Sequence, residues 1–331
     1  MTDSSLPLLE MRGIDKRFGA VHANKSVDLQ LFRGEVLGLL GENGAGKTTL
    51  MNILFGMYSA DAGTMAIEGR SVSHHTPADA LVLGIGMVHQ HFHLVPRHSV
   101  LENLMVGEPG RRGTLDEATA RERLQRIGSH YGLELDPARE VSELTVGEQQ
   151  RLEIVKALFR GAKILILDEP TSVLTPQQAD GLFEAVRAMV ADGVGVIFIS
   201  HKLYEVLSIV HRIAVMRRGE MVATVTNDDS VTHLRLAELM CGRELQPLTK
   251  PEVECGRSLL RLTNVTIAGE RGHLPRLHDV NLNVRAAEIV GVAGVSGNGQ
   301  RELAEVIAGV LTPSSGRVEV DNVPVERASP R

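Results

Sequence analysis

The chain has 331 residues, enough for about two domains, and its 43% hydrophobic and 23% charged content excludes wholesale disorder, collagen and a disulfide-stapled miniprotein. A formal net charge of −6 argues against broad phosphate-backbone binding, so no nucleic-acid partner is expected, and 3% aromatics without tryptophan leave few stacking platforms. Two cysteines, Cys241 and Cys255, suit a reducing compartment.

Residues 1–11 carry acids and no basic run, so they do not read as a signal peptide. No apolar stretch approaches the ~18 residues of a bilayer span. The longest, 164–167 and 194–199, are strand-sized. The expectation is a cytoplasmic chain that meets a membrane only through a partner.

Strands are expected at 8–14, 27–31 and 35–40, then a helix at 46–55 after a glycine-rich turn. A short apolar run at 85–88 precedes Gln90. Helical apolar spacing marks 117–131 and 148–159, while 163–167 and 195–199 suit buried parallel strands. Thr175-Pro176-Gln177-Gln178 starts another helix, with Thr at the cap, Pro at the first position and Gln at the third. Segments 212–216 and 220–226 read as a closing hairpin, and 246–257, with Pro247 and Pro251, as a linker.

The chain repeats itself. Residues 35–47 reappear as 288–300, and 288 minus 35 is an offset of 253. The same offset pairs Phe55-Gly56 with Ala308-Gly309 and Gly63 with Gly316. A period of that size is a domain, not a solenoid repeat. The expected organisation is a complete first domain at 6–245, the linker at 246–257, and the N-terminal part of a second, degenerate domain at 258–331.

Gly41-Glu42-Asn43-Gly44-Ala45-Gly46-Lys47-Thr48 is a G-x-x-x-x-G-K-T phosphate loop, placed between an expected strand and an expected helix. Its glycines let successive amides turn inward around phosphate oxygens, and the helix start adds a positive dipole end. Lys47 reaches the β/γ-phosphates, Thr48 offers a hydroxyl to Mg²⁺, and Thr49 follows it. The apolar run 164–167 ends in Asp168-Glu169. Asp168 at the carboxyl edge of a sheet can support Mg²⁺, and Glu169 can polarise an attacking water. Such acid pairs are common at strand ends, and it is the phosphate loop upstream that gives this one a role.

With these motifs the chain resembles the ABC ATPases. Leu144-Thr145-Val146-Gly147-Glu148-Gln149-Gln150-Arg151 looks like their signature sequence, just ahead of the Asp168 strand. Gln90 stands as the Q-loop glutamine, His201 as the switch histidine, and Phe18 as the aromatic that stacks on adenine; by its residue type alone Phe18 fits a core position equally. The resemblance implies a P-loop α/β fold with a mostly parallel core sheet, an antiparallel β subdomain and a helical signature subdomain, followed by the start of a second such domain. It implies ATP and Mg²⁺ as ligands, with Thr48, Gln90 and Asp168 around the metal and Glu169, Gln90 and His201 in hydrolysis. In this family ATP is sandwiched head to tail, so Thr145, Val146, Gly147, Glu148 and Gln149 would serve the opposite nucleotide, from the second domain or another copy of the chain. The finer resemblance is to fused double-ATPase subunits of bacterial importers for simple sugars and nucleosides, nearest the branch paired with basic-membrane-lipoprotein receptors, carried by 87–92, 94–96 and 146–149. It implies integral-membrane permease subunits that dock near 95–102, an extracytoplasmic solute-binding receptor acting indirectly, and a peripheral position on the cytoplasmic membrane face. The other readings are a soluble ABC ATPase acting on ribosomes or nucleic acid, which calls for a basic linker, and a regulator without turnover, which calls for loss of Glu169.

Several positions depart from the family pattern. Val146 replaces the usual first signature glycine, Glu148 the usual glutamine, and Thr175 the D-loop aspartate. In the second copy Gln300, Arg301 and Glu302 stand at the places of Lys47, Thr48 and Thr49, so the phosphate-binding ammonium and the metal hydroxyl are both missing while Gly294, Gly297 and Gly299 keep the turn. His89, His91 and His93 alternate, and on a strand they would share a face able to take Zn²⁺; the plainer reading is a polar loop, since no Cys or acid completes a set. Arg111-Arg112 reads as a solvated basic turn.

Overall fold

The computed structural model describes residues 6–73, 75–90, 92–107, 116–244, 253–269, 276–294 and 297–325. The chain divides into two compact units, Met1–Gln246 and Pro247–Arg331.

The first unit opens with β1 (Leu9–Phe18), β2 (Val21–Leu31) and β3 (Val36–Leu40), then α1 (Lys47–Leu54). There follow β4 (Ala62–Ile67), β5 (Arg70–Val72), α2 (Pro77–Val82) and β6 (Ile85–Val88). A helical stretch holds α3 (Val100–Met105), α4 (Glu117–Tyr131) and α5 (Val146–Phe159). Then come β7 (Ile164–Asp168), α6 (Pro176–Ala191), β8 (Gly195–Ile199), α7 (Leu203–Ile209), the hairpin β9 (Arg212–Arg217) and β10 (Glu220–Thr226), and α8 (His233–Cys241).

These strands make two sheets. The core sheet runs β10-β9-β3-β8-β7-β6, parallel except for β10 at its edge. A smaller antiparallel sheet runs β2-β1-β4-β5. The core strands read as unbroken apolar runs because both faces are covered. Ile164 and Ile166 face a cluster shared with α1 and the small sheet, while Leu165 and Leu167 face a cluster shared with the helices.

Three expectations shift. β1 and β2 are longer than 8–14 and 27–31, because they pair as a hairpin up to Phe18↔Val21. α5 begins at Val146 rather than Glu148, capped by Thr145, which puts Gly147 inside its first turn. β6 ends at Val88, so His89 and His93 lie on no strand; His91 and Arg111-Arg112 fall outside the described residues. The helix after the D-loop starts as expected, with Thr175 capping, Pro176 at the first position and Gln178 closing the capping box. Of the expected linker, residues 246–252 lie outside the described residues, and 253–256 carry no regular structure.

The second unit contains β11 (Ser258–Ile267), β12 (Leu277–Arg285), α9 (Gln300–Ile307), β13 (Ser315–Val320) and β14 (Val323–Pro324). Its sheet, β12-β11-β13-β14, has the order and pairing sense of the small sheet of the first unit, around a core that includes Leu262, Val265, Leu277, Leu303 and Val306. The copy of β3 at 289–293 is not a strand, and Ile289 is 99% exposed. β3 takes its ladder from β8 and β9, and no described strand of the second unit flanks 289–293.

A buried ion pair ties β9 to the start of β3. Arg212 Nε donates to Glu35 Oε1 at 2.5 Å, and Glu35 Oε2 also accepts the Phe32 amide at 2.7 Å. Glu35 is 7% exposed, so removing the guanidinium strands a carboxylate. Arg212→Met is expected to cost about 3 kcal/mol, read as a fall in the urea midpoint of the first unit; an unchanged midpoint would show that the pair contributes nothing net.

Candidate functional site

The turn from β3 to α1 holds the phosphate loop at the carboxyl end of a central parallel strand. Gly46 has φ 104, and a Cβ there would lie 2.3 Å from the Ala23 carbonyl oxygen and 2.9 Å from Asn24 Nδ2. Asn24, fully buried, donates to the Gly46 carbonyl at 3.1 Å. Gly44, at φ 82, has no neighbour within 4 Å of the same construction, so one glycine serves close approach and the other open backbone. The loop is also held from behind, since the Gly219 amide of the β9–β10 turn donates to the Ala45 carbonyl at 3.0 Å.

Lys47 lies back across this turn, donating to the Gly41 carbonyl at 2.7 Å and the Glu42 carbonyl at 3.1 Å. Burial pushes its ammonium pKa down, and the nearby carboxylates of Asp168 and Glu169 push it back up. Thr48 and Thr49 stand in the first turn of α1.

Asp168 ends β7 half-buried. Burial, then the charge of Glu169, raises its carboxyl pKa, and Lys47 opposes them. Its backbone joins the β7–β8 ladder opposite Ile199, while its carboxylate makes no hydrogen bond to any described residue. The next residue, Glu169, takes φ 47 and donates its amide to the Ile199 carbonyl at 2.9 Å, which turns the chain away from the sheet. Its Oε1 lies 2.9 Å from His201 Nδ1.

One open cleft is lined by Phe18, the whole of Gly41–Thr49, Gln90, Asp168, Glu169 and His201. Phe18 is 43% exposed, with Tyr58 against it at 5.3 Å, so it is a cleft residue and not a core one. Thr48, Gln90 and Asp168 supply a hydroxyl, an amide oxygen and a carboxylate that accepts no side-chain hydrogen bond among the described residues, an all-oxygen set that fits Mg²⁺. Sequence reasoning missed His22, Ala23, Lys25, Arg218 and Met240, which also line the cleft. They arrive through β2 and through the elements after β8, and no local motif announces them. His22 is fixed by Asp15, 2.8 Å away across the hairpin, and Lys25 by Glu220 at 3.2 Å.

Thr145–Gln149 do not line this cleft. The Glu148 carboxylate accepts the Thr145 amide and hydroxyl, both at 2.8 Å, and Arg139 Nη1 at 2.6 Å. The Thr145 contacts first, and Arg139 after them, hold its pKa below the usual carboxylate value. Gly147 packs against Gln178, whose Nε2 a Cβ there would meet at 2.6 Å. Among the described residues no group of three or more His, Cys, Asp or Glu could hold a metal, and His89 and His93 meet as rings 4.7 Å apart. In the second unit Gly299 repeats the Gly46 conformation at φ 94, and the Gln300 amide lies against Gly294 as Lys47 lies against Gly41.

Comparison with known proteins places these features. The family model described as ABC transporter matches residues 24–172 and 277–331. The chain is 46% identical to a glucose import ATP-binding protein of Haloferax volcanii and 42% identical to a nucleoside import ATP-binding protein of Lactococcus lactis subsp. cremoris, in each case over 98% of this chain and 64% of the relative. It therefore spans less than two thirds of the length of these curated relatives. Among solved structures, the ADP conformation of an ATP-binding cassette of an ABC transporter matches with a TM-score of 0.64 at 26% identity, covering 72% of this chain and 100% of that one. A nucleotide-free cassette matches with a TM-score of 0.62 at 27% identity, covering 68% of this chain and 93% of that one. Among the described residues no helix is long and apolar enough to cross a membrane.

The raised pKa of Asp168 has a stability consequence. A carboxyl that holds its proton more tightly folded than unfolded destabilises the fold when ionised, and the penalty is relieved as pH falls through its folded pKa. Asp168→Asn is therefore expected to raise the melting temperature at neutral pH. The gain should disappear once the pH drops below the ordinary carboxylate range. Melting curves from neutral pH into that range check it, and a variant less stable than the parent at neutral pH would contradict the assignment.

Proposed function

The chain belongs to the ABC transporter family of ATP-binding proteins, and from that membership we propose that it binds and hydrolyses MgATP to energise a prokaryotic importer of nucleosides or simple sugars. The observation that carries the proposal is the convergence of Lys47, Thr48, Gln90, Asp168, Glu169 and His201 on one cleft, although they come from separate strands and loops.

In this reading the triphosphate lies along Gly41–Gly46. The loop amides and Lys47 take its oxygens, and the adenine rests on the exposed face of Phe18. Binding draws Lys47 off the Gly41 and Glu42 carbonyls and onto phosphate, a stronger, charge-assisted partner. Glu169 accepts a proton from the attacking water, and His201, already 2.9 Å from it, orients that carboxylate. Bound Mg²⁺ would be held by Thr48, Gln90 and Asp168 and would neutralise charge on the leaving phosphates.

The signature at Thr145–Gln149 lies outside the lining of this cleft and, in this reading, serves the nucleotide of an opposing ATPase unit, supplied in cis or by a second copy of the chain. Separate permease subunits provide the membrane path and hold the chain at the cytoplasmic face, and an extracytoplasmic receptor delivers solute. The 95–102 segment offers them an ordered docking edge: Asn103 fixes it by accepting the Val95 amide and donating to the Val95 and Ser99 carbonyls.

Two substitutions separate binding from chemistry. Glu169→Gln is expected to keep ATP affinity while lowering turnover by about 10²–10⁴. Lys47→Ala is expected to weaken ATP binding itself. Calorimetric ATP affinity and phosphate release at high protein concentration test both, and undiminished turnover in Glu169→Gln would sink the base assignment.

A further inference from the structure

We propose that Arg139 is a charge-compensating residue of the signature: it neutralises Glu148 so that the start of α5 can face an anion. This rests on the reading above, in which Thr145–Gln149 meet the γ-phosphate of the opposing nucleotide. It explains the acid that stands in place of the usual signature glutamine.

Among the described residues the first unit has four capping boxes. They are Thr76 with Asp79, Ser99 with Glu102, Thr145 with Glu148, and Thr175 with Gln178. Three use an acid. Among the described residues Asp79 and Glu102 make no ion pair, whereas Glu148 receives Arg139 Nη1 at 2.6 Å. A cation is therefore unnecessary for the cap. Nor is the acid itself required, because Gln178 builds the same box with a neutral amide, accepting the Thr175 amide at 3.0 Å.

What the cation changes is the sign of the helix start. The first turn of an α-helix carries roughly half a positive charge. An ionised Glu148 would reverse that sign, and its pKa is held low, so it is ionised at neutral pH. Arg139 restores the sign. Its Nη2 also donates to the Glu143 carbonyl at 2.7 Å, which aims the partly exposed guanidinium at the carboxylate. Arg139 acts through Glu148 and need touch no nucleotide.

A double-substitution cycle tests this on the full chain. It compares the wild type, Arg139→Ala, Glu148→Gln and the double variant for kcat and KM with MgATP at a protein concentration where association is complete. Arg139→Ala is expected to lower kcat by roughly ten- to a hundredfold through the uncancelled charge, with binding at the Lys47 loop unaltered. In the Glu148→Gln background the same removal should cost less than about threefold, because no carboxylate remains to neutralise. The same pattern should appear in ATP-dependent self-association measured in a Glu169→Gln background, where turnover is not needed. An equal loss in both backgrounds would overturn the proposal, since Arg139 would then act only by holding the Glu143 carbonyl. So would wild-type kcat in Arg139→Ala. A parent chain that neither hydrolyses ATP nor associates in its presence would instead overturn the functional reading on which the proposal rests.

Discussion

Everything at the cleft depends on there being no side chain at Gly46. The Ala23 carbonyl, the Asn24 amide and the Met216 methyl crowd the place where a Cβ would stand. That crowding presses the small sheet, through β2, and the core sheet, through the end of β9, against one turn. The loop is thus held by strands from both sheets, β2 and β9, as well as by its own sequence. At Gly46 the side away from the cleft is filled, whereas Gly44 stays open. The same contact sets where α1 starts, and so where Lys47 and Thr48 point.

A second set of contacts fixes the other side of the cleft. The Thr171 hydroxyl, fully buried behind Asp168-Glu169, donates to Glu205 on α7, and Ser200 Oγ lies 3.4 Å from the same carboxylate. Lys202 spans this group, contacting the Thr171 carbonyl at 3.0 Å and Glu205 at 2.9 Å. The loop that carries Glu169 and the turn that carries His201 are therefore cross-linked beneath the surface. Their 2.9 Å approach follows from buried polar bonds that are costly to break. The cleft is cross-linked at its floor and open at its mouth, a division that suits the proposed exchange of nucleotide.

How much of this was legible in the sequence follows from how local each feature is. Gly41–Thr48 and Asp168-Glu169 could be read because the chemistry sits within a few consecutive residues. The strands at 164–167 and 195–199 could be read because two-sided burial leaves an unbroken apolar run. Thr175–Gln178 announced a helix start because capping is a short-range hydrogen bond. Ala23, Lys25, Arg218 and Met240 could not be placed at the cleft, because the only thing joining them to it is the strand order of two sheets. The alternating histidines show why spacing alone is weak: it is that of a strand, but the ladder ends at Val88 and His89 and His93 follow it, as the plainer polar-loop reading expects. The copy of β3 at 289–293 shows the same limit, since a strand-like sequence is a strand only where neighbours supply its ladder.

The left-handed turn at Glu169 has a consequence for how such a site can decay. Its backbone conformation is one that asparagine and glycine adopt with little strain. A lineage can therefore exchange this acid for a neutral residue and keep the peptide bonded to the Ile199 carbonyl, with the strands beneath it undisturbed. The proposed chemistry would go in one step and the architecture in none. The second unit shows that these two can come apart within one polypeptide, since Gly299 at φ 94 bends the chain as Gly46 does at φ 104, while a neutral amide, Gln300, stands where the first unit has an ammonium.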